Sequence, residues 1–275
     1  MGDVAPVEIV HWNPRGNLIG ERLPVRRRIN NFGDLIGPLL VEAMLRRRGL
    51  SRRTRSRRRA ATRLLTVGSI IHLARDRDAV WGSGIRGGMA ETEYRFATLD
   101  VRAVRGPLTR QFLAERRIDV PSVYGDPALL LPDMVPQMRE WAAAKARSLL
   151  VIPNFADFDS AYARHGDICL NPRAGLLQCL KAIAQSESVV ASSLHGIVVA
   201  ESLGIPARLV VSAHESSLKY RDYYLGTGRD PIDPARSVEQ AIRELPGAAT
   251  PVTPDPALEQ TFPYDLWDVM DPSGS

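Results

Sequence analysis

The stretch SVVASSLHGIVVAESLGIPARLVV, residues 188–211, decides how this chain folds. Residues 188–192 read as an apolar strand, 196–203 as a helix and 207–211 as a second strand, and two strands joined through a helix run parallel in one sheet. The first strand delivers His195 to the helix start. There the helix dipole disfavours imidazolium, while unpaired N–H groups face outward toward an anion.

The same rhythm extends in both directions from this unit. Upstream lie a strand at 149–153 and a helix at 174–185; downstream lie helical patterns at 215–224 and 238–245. Nearer the N-terminus, strands are expected at 7–12, 64–67, 79–81, 100–104 and 122–124, with helices at 34–47 and 107–117. The second of these opens on Pro107, which a first turn tolerates, and repeats Leu108, Phe112 and Leu113 on one face. The proline-punctuated segment DPALLLPDMVP, 126–136, separates the two series and reads as a linker. The expectation is an α/β protein of two Rossmann-like domains, 1–130 and 131–275, whose parallel sheets face a cleft.

Composition narrows the classes of function. With 275 residues, 44% hydrophobic and 24% charged, the chain can bury a substantial core. No stretch approaches the roughly 18 uncharged apolar residues of a membrane span, and Met1 to Asn13 lacks the pattern of a secretory leader, so a cytoplasmic location is expected. Cys169 and Cys179 form no disulfide framework and have no metal-ligand spacing with histidine, so no metal is expected. Residues 22–63 carry 14 arginines against Asp34 and Glu42, a local charge of +12 in a chain of net +5. Within them, RRRGLSRRTRSRRRAATR from Arg46 to Arg63 has no interleaved aromatics, so specific nucleic-acid readout is not expected. A solvated loop is expected there, with peripheral attraction to an anionic membrane face as the functional reading.

Ligands of such folds collect where loops leave strand ends and enter helix starts. Four segments qualify: NNFGD (30–34), GSGIRGG (82–88), VRGP (104–107) and SSLHG (192–196). The second matches G-x-G-x-x-G from Gly82 to Gly87 with Asp100 eighteen residues on, the outline of a dinucleotide-dependent oxidoreductase. It follows a later strand than the fingerprint requires, however, and Asp100 begins a strand instead of ending one. The glycines, Gly84 among them, are better read as letting backbone approach a ligand closely. Asn31 and Asp34 open the first long helix, where capping is their plain role.

Taken in order, NNFGD, VGSI followed by WGSGIRGG, VRAVRGPLTRQFL, YGDPALLLP and SSLHGIVVAESLGIP resemble the polysaccharide pyruvyltransferase family, in the style of its short exopolysaccharide members. The resemblance runs from about Asn30 to Tyr224. It implies a GT-B-like pair of domains that transfers pyruvate from phosphoenolpyruvate to two hydroxyls of a glycan or lipid-linked sugar, forming a cyclic ketal and releasing phosphate, without a cofactor. The family's arginine falls on Arg105 and its histidine on His195, the expected catalytic pair. Substrate contacts are expected from Asn31, Gly33, Asp34, Gly84, Arg86, Ser192, Ser193, Leu194 and Lys219, with Asp34 toward acceptor hydroxyls and Lys219 toward the donor phosphate. Many members have arginine immediately before Leu-His where this chain has Ser193, so either Arg86 or Arg110 supplies the guanidinium or the donor is posed differently.

Histidine suits the proton transfers of ketal formation, and a planar guanidinium suits a carboxylate or phosphate. Two rival readings rest on other residues. Glu201, five residues after Gly196, matches the acidic position of GT-B glycosyltransferases that use nucleotide sugars, and the 46–63 run fits a non-catalytic basic adaptor.

Overall fold

The computed structural model describes residues 7–17, 26–51 and 62–267. Strand β1 (Glu8–Val10) is followed by an antiparallel hairpin, β2 (Arg15–Asn17) and β3 (Arg26–Arg28), and by helix α1 (Phe32–Arg47). Strands β4 (Arg63–Leu65), β5 (Asp78–Trp81) and β6 (Leu99–Ala103) come next, and α2 (Pro107–Glu115) follows. Strands β1, β4, β5 and β6 form one parallel sheet in that order, with Ile9 beside Leu64 and Leu64 beside Ala79. The strand expected at 122–124 shrinks to one bridge between Val104 and Tyr124, because Pro121 has no N–H to donate and Gly125 turns the chain away at a φ of 145°.

After the short helices α3 (Leu131–Met134) and α4 (Gln137–Ala143), a second parallel sheet begins with β7 (Arg147–Ile152). Then come α5 (Phe158–His165), α6 (Leu176–Ala184), β8 (Ser186–Ala191), α7 (Leu194–Ser202) and β9 (Ala207–Leu209). The sheet order is β7-β8-β9, the β-α-β unit read from residues 188–211. Helices α8 (Leu218–Gly226), α9 (Val238–Arg243) and α10 (Pro256–Gln260) complete the chain.

The segment 126–136 is not an exposed linker. Pro127 to Pro132 are all buried, in a 3₁₀ turn at Pro127–Leu130 that runs into α3. Their leucines join Ile36 and Leu40 of α1, Ile183 of α6 and Ile197 and Val198 of α7 in one hydrophobic core spanning both sheets. Three consecutive leucines carry too much apolar surface to leave in water. The C-terminal segment ties the halves further: Trp81 Nε1 donates to the Leu258 carbonyl at 2.7 Å, Phe262 packs edge-on to Trp81, and Arg102 grips both oxygens of Asp265 at 2.9 Å.

Residues 52–61 of the basic run lie outside the described residues, and both flanks of the run are structural. Arg63 is buried on Asp78 at 2.6 Å, and the Arg48 guanidinium lies 3.7 Å from the Tyr264 ring centre. Among the described residues no helix is long and apolar enough to cross a membrane, and no cluster of metal-binding side chains occurs. Burial pushes the Cys169 thiol up to about 11 and that of Cys179 to about 12, so both stay protonated and unreactive near neutral pH.

Candidate active site

Loops leaving the C-terminal ends of β1, β4, β5, β7, β8 and β9 converge on a cavity of about 330 Å³, with the start of α1 completing its wall. Of the residues expected at the site, Asn31, Asp34, Arg86, Ser193, Leu194, His195 and Lys219 line it. They are drawn from both halves of the chain.

His195 sits in the first turn of α7, whose start is capped by the Ser193 hydroxyl accepting from Gly196 N–H. Its Nε2 lies 3.6 Å from Asp126 Oδ2, and neither atom has a hydrogen-bond partner among the described residues. Asp126 is fully buried, and its other oxygen accepts from Ala128 N–H at 3.0 Å. On the opposite edge the imidazole rests against the first turn of α1: a β-carbon on Gly33 would stand 2.5 Å from Nδ1. Gly33 therefore makes room for the imidazole at the start of α1 and is not itself among the cavity-lining residues.

Asp34 accepts from Asn31 Nδ2 at 2.5 Å. Burial raises its pKa above the usual carboxylate value, against the opposing pull of Asn31, His195, His11 and Lys219. Lys219 is also buried, which pulls its pKa down while Glu215, 3.1 Å away, pushes it up. Glu215 also faces Arg86, at 3.9 Å. Arg86 is thus the guanidinium that reaches the cavity, whereas Arg110 is turned to the Val120 carbonyl. His72 completes this wall, its pKa lowered by burial and then by Arg86.

Arg105 corrects the expectation of a donor-facing guanidinium. It is completely buried: Nε donates to Asp222 at 3.1 Å, one terminal nitrogen to Ser69 Oγ at 2.6 Å and the other to the Ile85 carbonyl at 3.1 Å. Asp222 in turn accepts from Leu108 N–H, Thr109 N–H and the Thr109 hydroxyl, capping α2 from α8. Gly84 serves this pair, since a β-carbon there would stand 2.2 Å from the Arg105 guanidinium carbon. The arginine's influence reaches the cavity wall through the hydrogen bond to Ser69 and through its charge, which helps lower the pKa of Lys219. Ser192 is likewise turned away, its hydroxyl accepting from Asn154 N–H and donating toward Asp157.

The residues of the rival readings are also occupied. Glu201 is held bidentately by Arg229 at 3.0 and 2.8 Å and accepts from the Tyr223 hydroxyl at 2.6 Å. Asp100 is paired with Arg102, and Gly82 packs on Pro127. Sequence reasoning missed Asp126, Ser69, His72, Glu215, Trp12 and Phe155. Asp126 and Ser69 carried a signal, since they lie in the YGDPALLLP and VGSI segments.

This is the architecture of a small-molecule site built across strand ends, and its lineage is explicit. A family model for polysaccharide pyruvyl transferase matches residues 52–214, and the chain belongs to that family. The succinoglycan biosynthesis protein ExoV of Rhizobium meliloti (strain 1021) is 29% identical over 177 residues, covering 59% of this chain and 52% of that protein. The chain therefore spans about half the length of this curated relative. No solved structure matches the present chain.

Proposed function

We propose that the protein transfers pyruvate from phosphoenolpyruvate to two hydroxyls of one glycan sugar, forming a cyclic ketal and releasing phosphate. The observation that carries this reading is a single cavity holding a histidine 3.6 Å from a buried acid, a second carboxyl of raised pKa, and two cations, in a chain of this family.

Lys219 and Arg86 neutralise the donor's carboxylate and phosphate, while Arg105 positions Ser69 at their side. Protonated His195, paired with Asp126, gives its proton to the donor methylene and leaves an oxocarbenium-like carbon. The first sugar hydroxyl adds there and returns a proton to His195. Phosphate then departs with its bridging oxygen, and the second hydroxyl closes the ring. The proton of that hydroxyl passes through Asp34 to the departing phosphate. One proton enters the methyl group and two leave the hydroxyls, so atoms and charges balance and the enzyme ends as it began.

A GT-B-like arrangement of two Rossmann-like domains fits this chemistry, since each half supplies one wall. A lipid-linked acceptor at the inner face of a membrane is the corresponding proposal for the basic 46–63 run. The test is consumption of phosphoenolpyruvate with candidate acceptors, following phosphate release and labelled pyruvate in the glycan. Transfer requires both, and only with acceptor present. Phosphate release at the same rate without acceptor, or stabilisation by nucleotide sugars or NAD(P) but not by phosphoenolpyruvate, would overturn the reading.

A further inference from the structure

The halves of the chain meet across the cavity through two bridges of opposite chemistry. One is ionic, with Glu215 between Lys219 and Arg86. The other is aromatic: Trp12, two residues past β1, meets Phe155, three residues past β7, edge to face at 5.9 Å between ring centres. Both rings line the cavity and are half-buried. Trp12 sits at the margin of a second hydrophobic core, built around Val10, Leu65 and Val80, and Phe155 belongs to none of the hydrophobic cores. Among the described residues, the Phe155 ring meets Trp12 and the Arg173 guanidinium, 4.7 Å from its ring centre. An aromatic ring kept at a cavity wall without serving a core is placed to meet a ligand.

The polar groups beside the rings narrow what that ligand is. Asn154 accepts from Ala156 N–H through its side-chain oxygen, which leaves its amide N–H₂ available among the described residues. Asn31 donates to Asp34 and, among the described residues, keeps its side-chain carbonyl oxygen available. One amide donor and one amide acceptor next to two rings suit a molecule with a C–H face and a rim of hydroxyls. A pyranose is such a molecule: its axial C–H hydrogens carry slight positive charge and rest on the negative face of a π-system. At about 330 Å³ the cavity takes a small anion and one ring, so the remaining glycan stays outside.

We infer that Trp12 and Phe155 form the platform on which the terminal pyranose of the acceptor stacks, with Asn31 and Asn154 holding its hydroxyls. This inference rests on the pyruvyl-transfer reading for the identity of the acceptor, while the platform itself is tested by sugar binding alone.

The experiment is saturation-transfer NMR on the full chain with methyl β-D-galactopyranoside and methyl β-D-glucopyranoside, using galactitol as the open-chain control. Phosphoenolpyruvate binding is measured in parallel by thermal shift. The wild-type protein should bind at least one pyranoside and saturate its ring C–H protons most strongly, and it should ignore galactitol. Phe155→Ala should weaken that binding by about fivefold or more while phosphoenolpyruvate binding stays within about twofold. Trp12→Phe should keep most of the affinity that Trp12→Ala loses. Because Phe155 lies outside the cores, its variant decides the matter should Trp12→Ala fail to fold. Failure of the wild type to bind either pyranoside, equal binding of galactitol, or undiminished binding by Phe155→Ala would overturn the platform. Pyranoside binding that depends on Phe155 in a protein that ignores phosphoenolpyruvate would leave the platform standing and remove the transfer reading.

Discussion

Asp126 and His195 face each other at 3.6 Å inside the protein, each with an atom that no group among the described residues satisfies. An unpaired buried carboxylate oxygen is costly, so Asp126 Oδ2 is aimed at Nε2 of the imidazole, while Nδ1 lies on the Gly33 side. Asp126→Asn keeps an oxygen for Ala128 N–H but removes the charge. It should lower turnover by ~10²-fold with donor affinity nearly unchanged, and it should displace the pH–rate profile. His195→Gln should lose ~10²- to 10⁴-fold. Steady-state kinetics across pH, together with NMR titration of the imidazole with and without phosphoenolpyruvate, measures both effects. An unchanged profile in Asp126→Asn would reduce this aspartate to a turn cap.

Asp34 is held toward its neutral form by burial. Its folded pKa lies above the unfolded value, so its contribution to stability is full below the ordinary carboxyl pKa and is lost as pH rises through the folded value. Asp34→Asn should therefore melt about 2–4 °C above wild type near pH 7.5, with the gap closing toward pH 4, while transfer collapses. Paired melting curves at several pH values, with an activity assay, test this. A variant less stable at pH 7.5 would contradict the burial argument.

Glu215 shares the two cations expected to hold the donor. Removing its charge frees them: Glu215→Gln should bind inorganic phosphate and phosphoenolpyruvate several-fold more tightly, and Lys219→Met should bind both more weakly. Isothermal titration at fixed ionic strength gives the comparison. Weaker anion binding by Glu215→Gln would mean that the carboxylate's main work is to hold Lys219 in place.

Arg105 and Asp222 are both fully buried and joined at 3.1 Å, so removing one partner strands the other's charge. Arg105→Met should destabilise the fold by about 3–5 kcal/mol. Adding Asp222→Asn should recover part of that loss, because it removes the stranded carboxylate. Denaturant unfolding of both singles and the double variant measures the coupling, and strictly additive losses would show that the two side chains act independently.

Much of the architecture was legible from the chain alone. Alternating strand and helix patterns implied parallel sheets, and residues 188–211 fold into β8, α7 and β9 as their periodicity indicated, because local apolar spacing directly dictates which faces must be covered. The family was legible too, through short motifs kept in order. The leucines of 127–132 misled for a physical reason: prolines punctuate linkers and tight buried turns alike, and only packing between α1 and α7 distinguishes the two.

The site divides along the same line. His195, Asp34 and Asn31 announce themselves because a helix start is a local feature, and each stands in or beside the first turn of its helix. What each side chain faces is not local. Arg105 and Asp222 are 117 residues apart, Asp126 and His195 are 69 apart, and Trp12 meets Phe155 across 143. Residue type and spacing determined that the chain would carry arginines, acids and a histidine near strand ends. The tertiary structure alone decided which arginine is neutralised in the interior and which reaches the cavity, because charge pairing and burial are set by distances that close only when the two sheets pack together.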